Sequence, residues 1–253
     1  MGDWNSEQYS KFLNERTQPS TDLINRISIV PDSILDIGCG PGNSTAKLLN
    51  KFKSAKILGI DNSENMLNKA RQNYPELEFR KLSVPDELDE VGNADLIFSN
   101  ACLHWIPDHK ILLPKLMKKV NDNGCLAVQM PLVQFAEFYK ILGRMVSRSK
   151  WAKLQRIKNF HNLLPEETYD ILTEVSGSVT MWDTTYYHIV PDFGSVIDWY
   201  RGSGLRPYLE ALDNNEQQEF LNELLDNIKE SYTVRSDGKI LLKMPRLFFI
   251  ANK

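Results

Sequence analysis

Short apolar runs alternate with helix-like patterns through the first half of the chain. Between the runs, apolar residues recur at helical spacing, as at Leu48, Leu49 and Phe52 and again at Met66 and Leu67. This spacing is typical of helices that pack one face on a sheet. Strands alternating with helices in this way predict a parallel, doubly wound sheet. The predicted strands are residues 33–37, 56–60, 77–82, 95–100 and 124–130, with a further helix over residues 110–120.

The pattern changes in the second half of the chain. From residue 133 to about residue 175, apolar residues keep a 3.6-residue period, which predicts helices alone. Alternating runs over residues 179–190 and 240–250 then predict two more strands, with a helix over residues 220–228 between them. The helical stretch interrupts the alternation of strands and helices. We therefore interpret it as an insert that covers the ligand edge of the sheet.

Composition narrows the class of protein. Hydrophobic residues make up 42% of the 253 residues, enough for a full core, so disorder is excluded as the main state. A net charge of -3 disfavours general nucleic-acid binding, and an anionic substrate would need a locally basic site. No apolar run has the length of a membrane helix, and the first residues lack the pattern of a secretory signal. Three cysteines without metal-ligand spacing predict a reduced, cytoplasmic compartment.

Charge is distributed unevenly along the chain. Residues 140–158 hold seven basic residues and no acidic one, whereas residues 210–230 hold seven acidic residues and one lysine. One interpretation is two solvated helix faces, because Lys140, Arg144 and Arg148 follow one another at helical spacing. The other is a basic rim that attracts an anion. The sequence leaves both open.

A glycine-rich turn carries the clearest chemical signal. Asp36, Gly38, Gly40 and Gly42 lie between the first predicted strand and a helix, where glycines allow a tight turn and the close approach of a ligand. A dinucleotide fingerprint would need a glycine or alanine where Asn43 stands, and Asp36 would sit badly near a pyrophosphate. A carboxylate suits the ammonium group of S-adenosylmethionine instead. We therefore interpret the turn as a loop that binds this cofactor.

Asp61 supports the same interpretation. It ends the second predicted strand, where a carboxylate can accept hydrogen bonds from both hydroxyls of a ribose. The alternative role is that of a helix N-cap, shared with Asn62 and Ser63. Met66 on the following helix either packs on the adenine or belongs to the core.

The turn resembles that of class I S-adenosylmethionine-dependent methyltransferases, and nearly the whole chain resembles the trans-aconitate methyltransferase family. The turn identifies only the cofactor, which would leave as S-adenosylhomocysteine. The stretch Trp199 to Leu209 is more specific and identifies the branch. The resemblance is carried by Asp3 to Asn5 with Tyr9, Phe12 and Arg16, by Asn100 to His109, by Ala127 to Pro131, by Trp199 to Leu209 and by Pro245 to Phe248.

The resemblance implies a Rossmann-like, doubly wound sheet of seven strands with the last strand antiparallel, in a single domain over residues 1–253. Within it we expect a helical lid (1–30), a cofactor-binding core (31–132), the helical insert (133–176), and C-terminal strands with a substrate loop and a helix (177–253). Implied cofactor contacts are Asp36, Gly38, Cys39, Gly40, Asp61, Asn62, Met66, Asn100 and Ala101.

The chain departs from the family at the adenine. Relatives often carry an aspartate after the third strand that accepts a hydrogen bond from the adenine amino group, and this chain has Ser83 there. A hydroxyl accepts more weakly than a carboxylate. The main-chain amide of Val84 could still contact the adenine. The departure bears on the adenine contact and leaves the class of cofactor unchanged.

The resemblance also implies the acceptor, a tricarboxylate that becomes a monomethyl ester. The fourth predicted strand ends without the Asn/Asp-Pro-Pro-aromatic motif of enzymes that methylate base or glutamine nitrogens, which favours a small-molecule oxygen. A carboxylate is already ionised at pH 7, so the transfer needs no general base. Positioning of the reactants with exclusion of water is then sufficient. We therefore predict no catalytic acid or base and no metal ion.

A multiply anionic acceptor needs cationic donors, and arginine pairs best with carboxylates. Arg206 lies in a glycine-bounded loop and is the first candidate, the alternative being a surface arginine. Tyr9 and Arg16 share one helical stripe with Phe12 and Leu13 and could close over the site. The alternative there is a packing helix with Arg16 in an ion pair.

Three further side chains are candidates for the acceptor site. His104 and Trp105 follow the fourth predicted strand at the carboxyl edge of the sheet, where ligands bind in such folds. His104 either donates to the acceptor or is structural, and Trp105 and Trp199 are expected to form walls of the pocket.

The sequence therefore predicts a cytoplasmic, monomeric carboxyl O-methyltransferase that acts on trans-aconitate or a close polycarboxylate, without nucleic-acid or membrane partners. Two alternatives stay open. One is a methyltransferase for another acid, such as a fatty or acyl-carrier-bound carboxylate. The other is an adenosylmethionine-binding, RNA-associated factor that uses the basic run over residues 140–158.

Overall fold

The computed structural model describes residues 13–157 and 160–253, with side chains from residue 17 onward in the first helix. Tyr9 therefore lies outside the described residues, as does the side chain of Arg16. Among the described residues the α-helices are α1 (Leu13–Arg26), α2 (Asn43–Lys51), α3 (Glu64–Asn73), α4 (His109–Lys119), α5 (Glu137–Val146), α6 (Pro165–Val175), α7 (Phe193–Arg201), α8 (Arg206–Glu210) and α9 (Asn214–Ser231).

Seven strands form one sheet in the order β3-β2-β1-β4-β5-β7-β6. The first five run parallel to their neighbours. The main-chain N–H of Lys253 donates to the carbonyl of Gly124, and that of Leu132 donates to the carbonyl of Pro245, so the last strand runs antiparallel to the fifth. The prediction of seven strands with the last antiparallel is confirmed. The strands are β1 (Ser33–Ile37), β2 (Lys56–Asp61), β3 (Glu78–Lys81), β4 (Ala94–Asn100), β5 (Val120–Pro131), β6 (Ser178–Val190) and β7 (Ile240–Asn252).

The core lies in the central parallel strands. Ile34 to Ile37 of β1 are buried, and Leu96, Ile97 and Phe98 of β4 are 0% exposed. Strands covered on both faces lose the polar alternation of a half-exposed strand, which is why these runs are apolar apart from Asp36. β5 begins at Val120, before the predicted start at residue 124, because Val120 pairs with Ala94 across a β-bulge.

The described chain divides into two compact units. The sheet unit comprises residues 13–131, 160–184 and 247–253, and the helical unit comprises residues 132–157 and 185–246. The helical stretch predicted over residues 133–176 is shared between them. α5 belongs to the helical unit, whereas α6 belongs to the sheet unit and packs against α4. The assignment of the whole chain to a single domain with one insert stays a prediction.

Aromatic packing organises the helical unit. α5 buries Phe138 and Met145, and the Phe138 ring stacks on Tyr200 with ring centroids 3.7 Å apart. Trp151 meets Phe220 of α9 edge to face at 5.0 Å. Such pairs add stability beyond the apolar area that they bury.

The basic and acidic runs of the sequence meet inside the helical unit. Arg148 and Lys150 bind the Glu223 carboxylate at 2.9 and 3.2 Å, and Lys153 binds Glu216 at 2.5 Å. Lys150 also lies 2.9 Å from Glu219. The second part of the basic run is therefore paired with the acidic run, which neither interpretation of the sequence foresaw, whereas Lys140 and Arg144 pair with Glu137 and stay largely exposed. Among the helices of the described residues, none combines the length and the apolar character needed to cross a membrane.

Candidate functional site

The glycine-rich turn is fastened to the end of β2. The main-chain N–H groups of Gly38 and Cys39 both donate to the carbonyl of Ile60, at 2.8 and 3.0 Å. Gly38, Gly40 and Gly42 all have positive φ, at 71°, 54° and 88°. Residues with a Cβ rarely adopt this left-handed region, so the conformation of the turn explains the three glycines.

The surroundings distinguish the three glycines. A Cβ on Gly38 would overlap the Cys102 side chain, and a Cβ on Gly42 would lie 2.7 Å from the Tyr74 ring. A Cβ on Gly40 would meet no atom within 4 Å. Gly38 and Gly42 thus allow close packing within the protein, whereas Gly40 borders open space that a ligand can occupy.

Asp36 is a wholly buried acid with one oxygen bound and the other open. Its Oδ2 accepts hydrogen bonds from Ser44 Oγ and Thr45 Oγ1 at 2.8 and 2.7 Å. Its Oδ1 has no hydrogen-bond partner in the part of the chain that the structure describes. Burial raises the pKa of the Asp36 carboxyl to about 6, against the opposing effect of the two hydroxyl bonds, and the charge of Asp61 adds to the rise. This oxygen is suited to a cationic ligand group, which would relieve the cost of burial.

Asp61 connects the turn to the following helix. Its Oδ2 accepts from the main-chain N–H of Gly40 and its Oδ1 from that of Ser63, each at 2.9 Å. The N-cap of α3 is Ser63, whose side chain accepts from Met66 N at 3.3 Å. Of the three residues that could share the cap role, Ser63 is the one that fills it. The Asp61 carboxylate orients the turn instead, and exposed Asn62 follows it.

The side chains of Cys39 and Met66 lie in the core. Cys39 is 3% exposed and belongs to a hydrophobic cluster with Leu67, Ala70 and Phe79. Only its main chain can therefore face a ligand. Met66 is 4% exposed, in accord with core packing, and its contact with an adenine stays a prediction.

Ser83 and Val84 follow β3 and are partly exposed. The main-chain N–H of Ser83 donates to Glu87 Oε2 at 2.6 Å, and its carbonyl accepts from Glu87 N at 2.8 Å. Since its N–H is engaged in this way, Ser83 can offer an adenine its hydroxyl or the remaining lone pair of its carbonyl. Val84 precedes a cis peptide bond to Pro85.

The carboxyl end of β4 is unusual in both side chain and main chain. Asn100 is partly buried, and its Oδ1 has no hydrogen-bond partner among the described residues. Ala101 has a φ of 53°, which is rare for a residue other than glycine. Its N–H donates to the Gln129 carbonyl at 2.9 Å. Backbone conformations of this kind concentrate at functional sites.

Aromatic rings surround His104 just beyond β4. His104 is 3% exposed, and its ring stacks on Phe160 with centroids 5.5 Å apart. Trp105 is partly exposed and lies 4.8 Å from the same Phe160 ring. The His104 carbonyl accepts from His161 N at 2.9 Å. The structure therefore brings His104 and Trp105 together, with Phe160 as a partner that the sequence did not indicate.

Trp199 and Arg206 lie in the helical unit. Trp199 is 4% exposed and stacks on His188 with ring centroids 4.4 Å apart. Arg206 begins α8, and its side chain is only 15% exposed, with Nε 3.4 Å from Glu210 Oε1. Arg206 is therefore partly buried, and its contact with an acceptor stays a prediction. Within the described residues, no group of three or more His, Cys, Asp or Glu side chains could hold a metal ion.

Three polar residues of the sheet unit were missed as site residues. Ser44 and Thr45 lie in the first turn of α2, and their hydroxyls donate to Asp36 and orient it. The sequence signal was two adjacent hydroxyl residues at the start of the helix that follows the glycine turn, eight and nine residues after the acid. Gln129 is 0% exposed in β5, and a glutamine inside an otherwise apolar run was its signal.

Similarity to known proteins identifies the family of this chain. Residues 34–124 match a family model described as a methyltransferase domain. The chain is 40% identical to the trans-aconitate 2-methyltransferase of Enterobacter sp. (strain 638), over 100% of this chain and 99% of the relative. The chain belongs to the trans-aconitate 2-methyltransferase family. Another member, from Variovorax paradoxus (strain S110), is 36% identical over 100% of this chain and 99% of its own length.

Solved structures confirm the fold of this family member. The YcgJ protein of Bacillus subtilis has a TM-score of 0.60 at 14% identity, covering 93% of this chain and 98% of its own. Phosphoethanolamine N-methyltransferase 2 of Haemonchus contortus, solved with phosphomonomethylethanolamine and S-adenosylhomocysteine, has a TM-score of 0.60 at 17% identity. That match covers 98% of this chain and 57% of the other. The predicted Rossmann-like, doubly wound fold is confirmed.

Proposed function

We propose that this methyltransferase transfers the methyl group of S-adenosylmethionine to a carboxylate of a small polycarboxylic acid, with trans-aconitate as the first candidate. The products are a monomethyl ester and S-adenosylhomocysteine. The observation that carries the proposal is the buried Asp36 with its open Oδ1, beside a glycine turn that borders open space. Full-length similarity to trans-aconitate 2-methyltransferases supports the acceptor.

The residues present fit this cofactor. Asp36 Oδ1 is suited to the ammonium of the methionine portion, because a buried carboxylate gains most from a cationic partner. Asp61 can accept from the ribose hydroxyls while it still binds the turn, since each carboxylate oxygen accepts more than one hydrogen bond. Gly38, Cys39 and Gly40 supply main chain beside it, and Asn62, Met66, Ser83, Val84, Asn100 and Ala101 complete the proposed contacts.

The reaction requires the protein to bind the cofactor and the acceptor and to orient them relative to each other. The cofactor supplies an activated methyl group on a sulfonium, and a carboxylate oxygen displaces the sulfur in line. An ionised acceptor needs no base, so proton transfer by a side chain has no part in the reaction. Alignment of the two reactants and exclusion of water provide the rate acceleration.

The acceptor residues remain part of the proposal. Arg206 is the main cation, and an incoming carboxylate would compete with Glu210 for its guanidinium. Tyr9 and Arg16 would contribute from the N-terminal segment. His104 with Trp105, and Trp199, would supply donors and apolar walls. We propose that the protein is a monomer in the cytoplasm; the unpaired thiols of Cys39, Cys102 and Cys125 accord with a reducing compartment.

Labelled S-adenosylmethionine with a panel of polycarboxylic and fatty acids tests the proposal. We expect a base-labile methyl ester with trans-aconitate and weaker activity with related tricarboxylates. An Asp61→Ala variant serves as the control for label transfer. Esters formed on fatty acids alone would favour the alternative of a methyltransferase for fatty or acyl-carrier-bound carboxylates. If no acid is esterified, the proposed carboxyl methyltransferase function is refuted. Pairing of Arg148, Lys150 and Lys153 with α9 removes support from the RNA-associated alternative.

A further inference from the structure

Gln129 is a buried amide without a partner. It lies near the end of β5 and is 0% exposed, yet neither its Oε1 nor its Nε2 has a hydrogen-bond partner in the described part of the chain. Buried polar side chains in native proteins are nearly always hydrogen-bonded, and each exception calls for an explanation. A bound ligand is one such explanation, because the amide then gains its partner only in the complex.

The register of the sheet places Gln129 in line with the proposed cofactor residues. Asp36 pairs with Phe98 across β1 and β4, and Asn100 pairs with Gln129 across β4 and β5. Since side chains alternate along a strand, Asp36, Asn100 and Gln129 share one face of the sheet. Each has an oxygen without a partner among the described residues. Three adjacent strands therefore present open polar atoms on one face near their carboxyl ends.

The order of the strands separates the roles of these groups. The proposed ribose acceptor Asp61 lies on β2 and the proposed ammonium acceptor Asp36 on the adjacent β1. Asn100 lies on β4, and Gln129 lies one strand further, on β5. Counted along the sheet from β2, Gln129 therefore lies beyond the residues proposed to bind the ribose and the methionine ammonium. On the proposed function, the acceptor approaches the methyl group from that side.

We propose that Gln129 binds the reacting carboxylate of the acceptor through its Nε2 N–H, which rests on the proposed function. The amide donates to one carboxylate oxygen and leaves the other free to attack the methyl carbon. The new O–C bond forms as the C–S bond breaks, and no proton moves. A neutral amide withdraws less charge from the nucleophile than a guanidinium does, so it suits the reacting carboxylate.

Steady-state kinetics on two shape-conserving variants test this role. Gln129→Met removes the donor, and Gln129→Glu places a like charge against the acceptor. We expect the KM for trans-aconitate to rise about tenfold in the first and further in the second, with the Kd for S-adenosylhomocysteine changed less than about twofold. The control is Gln217→Met on α9, whose Nε2 donates to the carbonyls of Leu209 and Leu212, and its KM should not change.

Thermal unfolding without ligand gives a second readout. Replacing an unpaired buried amide by an apolar side chain of the same shape is stabilising, so Gln129→Met should raise the Tm by about 2–4 °C. Gln217→Met leaves two carbonyls without their donor and should lower the Tm. A structural role for Gln129 predicts the opposite result, in which its variants lose stability and keep the wild-type KM.

The outcomes separate this inference from the proposed function. Wild-type turnover of carboxylic acids with an unchanged KM in both Gln129 variants would overturn the role of Gln129 alone. A weakened Kd for S-adenosylhomocysteine with an unchanged acceptor KM would assign Gln129 to the cofactor and also overturn it. If the wild-type protein methylates no carboxylic acid, the proposed function fails, and the assignment of a ligand to Gln129 fails with it.

Discussion

The main-chain N–H of Gly40 donates a hydrogen bond to Oδ2 of Asp61 over 2.9 Å. The glycine turn after β1 is thereby held by the acid at the end of β2. Asp61 also accepts from Ser63 N, so one carboxylate orients both the turn and the start of α3. The proposed ribose acceptor therefore also maintains the shape of the site.

Replacing Asp61 tests both roles together. Asp61→Ala removes the ribose acceptor and the Gly40 bond, and we expect the Kd for S-adenosylhomocysteine to rise about 100-fold, or ~3 kcal/mol. Asp61→Asn keeps one acceptor oxygen and should lose less affinity. Titration calorimetry measures the effect, with exposed Asp170→Ala as the control. Wild-type affinity in Asp61→Ala would remove this residue from the cofactor site.

Two glycine substitutions should affect different properties: Gly40→Ala mainly cofactor binding, and Gly42→Ala mainly the stability of the fold. A Cβ on Gly40 enters open space at a φ of 54°, so Gly40→Ala should cost only about 1–2 kcal/mol of stability. It should still weaken S-adenosylhomocysteine binding at least about tenfold, because the methyl group fills the space proposed for the cofactor. Gly42→Ala meets the Tyr74 ring at 2.7 Å and should destabilise the fold more strongly.

Thermal unfolding and calorimetry on the two glycine variants separate these effects. Gly42→Ala provides the comparison in which stability falls for reasons of internal packing. If Gly40→Ala bound S-adenosylhomocysteine as the wild type does, the open space beside Gly40 would not be the cofactor site.

The pKa of Asp36 predicts a pH dependence with a definite sign. Its folded pKa of about 6 lies above the ordinary 3.8, because burial penalises the charged form. Ionised Asp36 therefore destabilises the free protein by about 3 kcal/mol above pH 6, and this cost is relieved as the pH falls through 6 toward 4. The ammonium group of S-adenosylhomocysteine favours the ionised form of Asp36, so its binding should weaken below pH 6.

Asp36→Asn isolates this contribution. At pH 7 the variant should be more stable than the wild type, and the difference in unfolding free energy should shrink toward pH 5. Its affinity for S-adenosylhomocysteine should fall and lose the pH dependence between 5 and 7. Urea unfolding of both proteins at the two pH values measures the difference, since other titrating groups cancel. A constant difference in stability would show that Asp36 does not titrate in this range.

The sequence was sufficient for the parts of the site that depend on local order. Alternating strands and helices predicted the parallel sheet, and the chain positions of Asp36 and Asp61 predicted that the glycine turn and Asp61 meet at its carboxyl edge. Spacing along the chain carries this information because the carboxyl ends of parallel strands meet at one edge.

Properties that depend on distant pairing were not predictable in this way. The open amide of Gln129 is recognised only when β4 and β5 are in register, and the packing of α6 on α4 depends on the path of the whole chain. The basic and acidic runs looked like separate surfaces because Arg148 and Glu223 are 75 residues apart. Hydrophobic periodicity identifies which face of an element is buried and does not identify its partner.

Glu223 on α9 pairs with two side chains of the basic run. Its side chain is 20% exposed, binds Arg148 and Lys150, and accepts from the buried Trp151 Nε1 at 3.0 Å. Glu223→Ala leaves that indole N–H unpaired and should cost about 2 kcal/mol, whereas Glu223→Gln keeps an acceptor and should cost about 1.

Urea unfolding at low and high salt distinguishes the hydrogen bond from the ion pairs. The control is Glu219→Gln, which breaks only an exposed pair with Lys150 and should change the unfolding free energy by less than about 0.5 kcal/mol. Salt should reduce the cost of Glu223→Gln and leave most of the cost of Glu223→Ala, because screening weakens charge pairs more than a neutral donor in a buried position. Equal costs for the two Glu223 variants would show that the charge, and not the bond to Trp151, holds this segment on α9.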